Sequence, residues 1–413
     1  MMADADLIVV GGGISGASLA YLCAKAGLSV TVLDSNKKMG GCLWTHKSKA
    51  GYWHELGAHT CYASYGETLK LIEELPDGLK SLVARQKAPM KLVEGGQIKS
   101  LFSQINIPSL LFNAVKLPFL NKDGKTVRQF WGQVVGANNW ERVFSPVFAA
   151  VPSQPADDFP ASMLFKSRKK RKDVPRSFTI ENGLQALVLG LTNHPNINCI
   201  TSTTVKSVTK DAAGNYVVAT GESSFVSRLL ALAVAPDSAA NLLADVNPKL
   251  SKAIGCIETC KVETIGVVVN SESTQLPNAA FFIPTNDSFR SCVTRDVYPH
   301  EKYRGFAFHL SPKVSDSDAI ARIEEFLGVP RDKWLDVNRH QVVLPSPKLG
   351  HAEIVKIVDQ LIAGSTIAIT GNWFAGLAIE DCVQRSQSQA DNLVNLFNEM
   401  SAPQNQSGST DGK

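Results

Sequence analysis

What this chain lacks narrows it before any motif is read. No stretch of its 413 residues reaches the ~18 consecutive apolar residues of a membrane-spanning helix. The mean hydropathy of −0.02 is that of a globular protein. No basic stretch precedes the first apolar segment, so a cleaved signal peptide is not expected. Eight cysteines are scattered with no CxxC and no His/Cys cluster at zinc spacing, which excludes a zinc module from the reading. Cys256 and Cys260 would share a face if helical, but they lack partners for a metal, and none is expected. Free thiols suit a reduced, cytoplasmic setting. No aromatic-interleaved basic face is present, so nucleic acid is not expected as a partner. The net charge of +4 is largely local, with Lys166, Arg168, Lys169, Lys170, Arg171 and Lys172 nearly together. That run reads as a solvated loop, with anionic lipid heads or an acidic substrate as its functional alternatives. No Ser/His/Asp set is evident either.

What is there begins at once. Asp6–Val10 is a short apolar run of strand type, followed by Gly11, Gly12, Gly13, Ile14, Ser15 and Gly16. Gly11, Gly13 and Gly16 permit a tight turn, close approach of backbone to a pyrophosphate, and close helix–strand packing. Ser15 to Ala26 carries apolar residues at helical spacing, which sets the N–H groups of Ile14 and Ser15 at a helix N-terminus that favours anions. A second apolar strand, Ser29–Leu33, ends in Asp34, placed to accept ribose hydroxyls. Strand, glycines, helix, strand and acid in register indicate a dinucleotide site. At this length two interleaved domains are expected around it.

Past Asp34 come Gly40, Gly41 and Thr45, then Glu55, Leu56, Gly57, Ala58 and His59. Here the chain resembles the flavin-containing amine oxidase superfamily, whose members carry a paired-glycine, x-x-x, Thr/Ser step and a Glu-x-Gly-Ala/Pro turn beside the flavin ring. The resemblance implies FAD as cofactor, held by Gly40, Gly41, Thr45, Gly57, Ala58 and His59 beside the glycine motif. It further implies that Val205 holds the adenine through its backbone.

The chain divides in expectation as 1–75, 176–255 and 346–400 for the FAD-binding domain, with the rest inserted. Residues 76–175 form a helical, substrate- or membrane-facing part, 256–345 an antiparallel-sheet substrate domain, and 401–413 a disordered tail. The fold class is α/β, a Rossmann-like FAD-binding domain with an interleaved α+β substrate domain of mixed sheet plus helices. Residues 101–120 are apolar and interrupted by Pro108 and Pro118. They read as core of the substrate domain, or as a surface that meets a membrane or roofs an apolar pocket. Ile197–Thr204, Val205–Thr209 and Leu229–Ala235 read as strands, and Ala319–Leu327 as an amphipathic helix.

Near the end, Pro345-x-x-x-x-Gly350-His351 is followed by Gly371-Asn372-x-x-x-Gly376-x-x-x-x-Asp381-Cys382. This closing pattern is similar to that of protoporphyrinogen oxidases, and it adds Gly371, Asn372, Leu377 and Ala378 to the cofactor residues. The resemblance implies an oxidase dehydrogenating a protoporphyrinogen-like or other bulky apolar small molecule, with dioxygen or a quinone as electron acceptor. An amine oxidase and a UDP-galactopyranose mutase-like flavin isomerase are the alternatives, as is a non-catalytic flavoprotein. The chain departs from the family where an arginine that holds a propionate should stand near Pro89-Met90-Lys91. Only Lys91 is close, with Arg85 and Lys87 upstream. Lys91 is thus the candidate substrate contact, and His309 the candidate catalytic side chain, with a structural histidine as its alternative. Oligomeric state and peripheral membrane contact stay open.

Overall fold

The structure, a computed structural model, describes residues 4–401. The expected tail therefore lies outside the described residues, apart from Ser401, which ends the last helix.

Period-two burial builds the nucleotide sheet. Leu7 and Val9 of the strand Ala5–Val10 enter one core, and Ile8 and Val10 enter the other. The strand is thus apolar throughout, as a parallel strand covered on both faces must be. The sheet runs Ile197–Ile200, Val30–Leu33, Ala5–Val10 and Ser224–Leu232. Beyond this last strand it splits. The antiparallel pair Tyr216–Ala219 and Ser207–Lys210 covers its first half, and the parallel strand Ile367–Ile369 its last half. The helices Ile14–Lys25, Gln185–Thr192 and Ile379–Ser401 pack on one face. Pro236–Leu243, Pro248–Ile254 and His351–Ile362 pack on the other.

The second sheet has seven strands, in the order Asp336–Pro345, Thr259–Asn270, Tyr303–Leu310, Phe289–Thr294, Phe281–Pro284, Met90–Glu94, Gln97–Ser100. All pairings are antiparallel except Phe281–Pro284 with Met90–Glu94. One face packs Ile265, Val267, Phe306 and Phe308 against Ile323 and Phe326 of the helix Asp316–Leu327. The other carries Gly266 and Gly305. A Cβ on Gly266 would lie 2.4 Å from His54 Nε2, and one on Gly305 2.9 Å from the Tyr52 hydroxyl. Two side-chain-free notches thus let the hairpin Thr45–Lys47/Trp53–Glu55 lie directly on the sheet.

The segment 76–175 is not helical throughout. After the short 3-10 helix Gly78–Ser81 come Leu82–Ala84, paired to Ser177–Ile180, and the hairpin Met90–Glu94/Gln97–Ser100. The Gly95-Gly96 turn favours a hairpin, and the edge offered by Phe281–Pro284 completes it, with Leu92 and Val93 both buried. Helices follow from Ile107. Pro108 starts the helix Ile107–Ala114, where its missing N–H costs nothing. The strand expected to reach Thr204 stops at Ile200, and Cys256 and Cys260 share no helix.

A small core of Val127, Phe130, Val134, Trp140, Phe148 and Phe159 holds this helical part. Leu111, Phe112, Val115 and Phe119 stand outside it, Phe119 being 88% exposed. No helix among the described residues is long and apolar enough to cross a membrane. The basic run is only partly a solvated loop. Lys166 and Arg168 both reach the buried Asp381, at 3.0 and 2.7 Å, while Arg171 meets Glu73 at 2.7 Å. Lys169, Lys170 and Lys172 are exposed.

Candidate functional site

The carboxyl ends of the parallel strands open into a cleft of about 450 Å³. Such a switch point is where open α/β sheets bind ligands. The Gly11 N–H donates to Leu33 O at 2.8 Å, and the Gly12 N–H to Asp34 Oδ2 at 2.7 Å. The other Asp34 oxygen accepts from the Asn36 N–H at 2.7 Å. Gly40 N–H donates to Gly12 O at 2.9 Å, which ties the second glycine loop to the first. Across the gap between the loops, a Cβ on Gly13 would lie 3.6 Å from Gly41 Cα. No side chain caps the helix that starts at Gly13, and its first turn holds no acidic residue. Its N–H groups therefore face the cleft with their charge uncompensated, as a pyrophosphate requires.

Of the expected cofactor residues, Gly11, Gly13, Ile14, Ser15, Asp34, Gly41, Ala58, Val205, Gly371, Asn372 and Leu377 line this one cleft. Gly16, Gly40, Thr45, Gly57, His59 and Ala378 do not. Gly16 and Gly57 serve close packing: a Cβ would lie 1.9 Å from Gly11 O and 2.1 Å from Cys42 O, respectively. Thr45 donates to Glu55 at 2.8 Å and accepts from the Gln185 N–H at 3.1 Å, so it is a bracket behind the cleft. Sequence reasoning missed the wall formed by His340, Gln341, Val342 and Val343, which stand just before Pro345 of the closing pattern. His340 Nε2 lies 2.9 Å from Gly41 O, and its ring stacks on Trp44 at 4.5 Å. Cys42 and Cys382 also line the cleft.

Glu55 accepts from the Leu184 N–H at 2.6 Å as well as from Thr45. Burial pushes its carboxyl up to about 7, against those hydrogen bonds and Arg295. A raised carboxyl stabilises the fold below its unfolded value of 4.5, and that stability is lost as pH rises through 7. A Glu55→Gln variant is therefore expected to gain stability relative to the parent from pH 4.5 to 7, by up to about 3 kcal/mol. Urea titrations across that range check the slope, and parallel curves would sink the assignment. His59 and His309 act with the opposite sign. Burial lowers both, to about 3 and about 4, so their contribution is present above 6.5 and lost as pH falls through those values.

A second, small compartment lies beside the cleft, separated from it by one peptide: Ala58 lines the cleft and His59 the compartment. Trp53, His54, Glu55, Arg85, Phe281, Arg295 and Tyr298 are among its other lining residues. The two residues expected to meet substrate are elsewhere. Lys91 sits in a strand opposite Ser100 and Phe282 and lines neither space. His309 is buried with Nδ1 at 2.8 Å from the Thr264 hydroxyl, and it too lines neither.

The split sheet, the glycine cradle and the inserted sheet define a Rossmann-type dinucleotide-binding protein with a second domain built into it. Its fold is shared with solved oxidases at 14–16% identity. Residues 9–75 match the NAD(P)-binding Rossmann-like domain family. A crystal structure from Exiguobacterium sp. 255-15, provisionally assigned as a protoporphyrinogen oxidase, superposes with a TM-score of 0.74 at 16% identity, covering 96% of this chain and 100% of that one. Putrescine oxidase with putrescine bound gives 0.65 at 14% identity over 95% and 99%. In sequence, 75 residues are 39% identical to flavin-containing amine oxidase B of Mus musculus, 18% of this chain and 14% of that protein. Another 53-residue match, 47% identical, is to an L-amino-acid oxidase of Echis ocellatus, 13% of this chain and 10% of that protein. The chain thus aligns with only about a tenth to a seventh of the length of these relatives.

Proposed function

We propose that the chain is an FAD-dependent oxidoreductase of the amine oxidase and protoporphyrinogen oxidase type. The observation that carries this is the cradle of Gly11–Gly13 against Gly41, closed by an uncapped helix N-terminus and the Asp34 carboxylate. The donor set fits the dinucleotide half by half. Ile14 and Ser15 N–H groups hold the pyrophosphate, Asp34 the ribose and Val205 the adenine, with Gly371, Asn372 and Leu377 toward the other end. When bound, FAD supplies the hydride acceptor for a substrate C–H, with reoxidation by dioxygen or a quinone. The chain's own part is positioning and exclusion of water. The neutral imidazole of His59, with Nδ1 2.9 Å from the Thr60 hydroxyl, presents a polar but uncharged edge between cleft and compartment. Phe281 stands edge-on to it at 5.2 Å and covers its ring with apolar surface.

The substrate we assign is a protoporphyrinogen-like or other bulky apolar molecule. Purified yellow protein mixed anaerobically with protoporphyrinogen IX is expected to lose its flavin absorbance and regain it in air as porphyrin fluorescence appears. Flavin that stays oxidised would remove this substrate.

Peripheral membrane contact belongs to the same reading. It rests on Phe102, Leu111, Phe112, Val115 and Phe119, exposed on one segment beside the exposed Lys116. The protein is expected to float with phosphatidylglycerol vesicles, and Phe112→Ser with Phe119→Ser to lose at least half of that binding. Equal flotation of the double variant counts against the surface.

A further inference from the structure

The compartment behind His59 gathers hydrogen-bond donors from three segments and leaves them without acceptors. Arg85 follows the strand Leu82–Ala84, Arg295 follows Phe289–Thr294, and His54 stands in the hairpin strand Trp53–Glu55. Arg85 Nε and Arg295 Nε and Nη1 are shut off from solvent, with no hydrogen-bond partner among the described residues. The same holds for the hydroxyl of Tyr298, a residue 8% exposed, and both ring nitrogens of His54, 2% exposed. The arginines are held in place by aromatic faces. The central carbon of Arg295 lies 4.2 and 4.6 Å from the ring centres of Trp53 and Tyr52, and that of Arg85 5.7 Å from Phe281. A buried donor left without an acceptor costs free energy, and a charged one costs more.

The nearby carboxylates are engaged elsewhere. Asp296 takes Arg304 at 2.6 and 3.0 Å and the Ala279 N–H at 3.1 Å. Both oxygens of Glu55, the one acidic residue lining the compartment, accept from Thr45 and Leu184. The free volume is about 20 Å³, which admits a guest the size of a water molecule or a halide ion and excludes an organic acid. Water there could accept from single donors, but it would leave two cations without countercharge.

We infer that this compartment is the site of one small inorganic anion, of halide size, bridging Arg85, Arg295 and the Tyr298 hydroxyl. Such an ion accepts from all three at once and supplies the missing negative charge. It would tie the strand end at Arg85 to the inserted sheet at Arg295, directly behind the Gly57–His59 turn. It is a resident of the fold and not a substrate contact, so it needs no passage to the cleft. Nor does it rest on the flavin reading.

Chloride and bromide are the probes, with gluconate as an anion too large for the space. At equal ionic strength, the melting temperature of the purified protein is expected to be about 2 °C or more higher in chloride than in gluconate, and to level off with concentration. Crystals grown in bromide are expected to show an anomalous peak within hydrogen-bonding reach of Arg85, Arg295 and Tyr298. Arg85→Gln should raise the chloride concentration that gives half of the rise by about tenfold or more. Should that variant not fold, Tyr298→Phe, which deletes one hydroxyl, carries the test with the same expected direction. Equal melting in both salts, an empty compartment in the bromide crystals, or an unchanged half-concentration in the folded variant overturns the inference. The response is expected in yellow and flavin-free protein alike, so failure of the cofactor reading would leave it standing.

Discussion

A Gly13→Val variant is expected to purify folded and colourless. Gly13 has φ −76°, which any residue adopts, and an added Cβ meets nothing closer than Gly41 Cα at 3.6 Å, an ordinary contact. The protein therefore tolerates the side chain, whereas the space it fills is the notch through which the pyrophosphate must approach the helix N-terminus. Flavin affinity should fall at least a hundredfold, about 3 kcal/mol, with the melting temperature of the apoprotein nearly unchanged. Gly16→Val should behave differently. Its Cβ would sit 1.9 Å from the Gly11 carbonyl and 3.2 Å from Ala233 Cβ, between strand and helix backbones that cannot yield. That variant should lose about 3 kcal/mol or more of stability and accumulate as insoluble protein. Retained flavin in a folded Gly13→Val protein would show that the cleft is not the cofactor's.

The second large effect is expected at Asp381. This carboxylate is 4% exposed, sits in the first turn of the helix Ile379–Ser401, and receives both Lys166 and Arg168. Lys166 also donates to the Ala375 carbonyl. Asp381→Ala leaves two partly buried cations facing each other and removes a favourable charge from the helix N-terminus. A loss of about 3 kcal/mol is expected in urea, discounted for the partial exposure of both cations. Replacing Lys166 and Arg168 by Met in the same background should restore part of it, because the unpaired charges go with them. A loss below about 1 kcal/mol would mean that solvent already screens the trio. The neighbouring Glu380, 1% exposed, caps a different helix by accepting from the Glu67 and Thr68 N–H groups at 3.0 Å each.

How much of this was legible in the chain follows from how local each feature is. The strand Ala5–Val10, its glycines and Asp34 lie within one short stretch, and strand periodicity and turn chemistry read them directly. Much of the inserted antiparallel sheet falls in the part read as antiparallel sheet, 256–345. Its edge hairpin, Met90–Glu94 with Gln97–Ser100, was not legible, because it joins the sheet only through a parallel partner far along the chain. The same distance hid the clamp of Lys166 and Arg168 on Asp381, so the run read as solvated loop. The resemblance, which places a propionate-holding arginine near Pro89-Met90-Lys91, selected Lys91 as the cation near substrate. Strand pairing holds Lys91 out of both spaces, while Arg85, earlier in the chain, lines the compartment. Thr45 and Glu55 were read as cofactor neighbours, yet they spend their polar atoms on each other and on the backbone of Leu184 and Gln185.

The strand Ile367–Ile369 lies against the last half of Ser224–Leu232, and the chain just beyond it supplies Gly371, Asn372 and Leu377 to the cleft. During synthesis, the glycine turn emerges long before its far wall. A nascent chain can therefore form the opening βαβ unit early but has nowhere complete to lodge a dinucleotide until residues 371–377 have been made. Ligand held between those distant segments would favour only chains that carry both, by mass action. Fragments ending before residue 367 should then behave as unliganded protein whatever the supply of cofactor, which makes colour a readout of synthesis past the far wall.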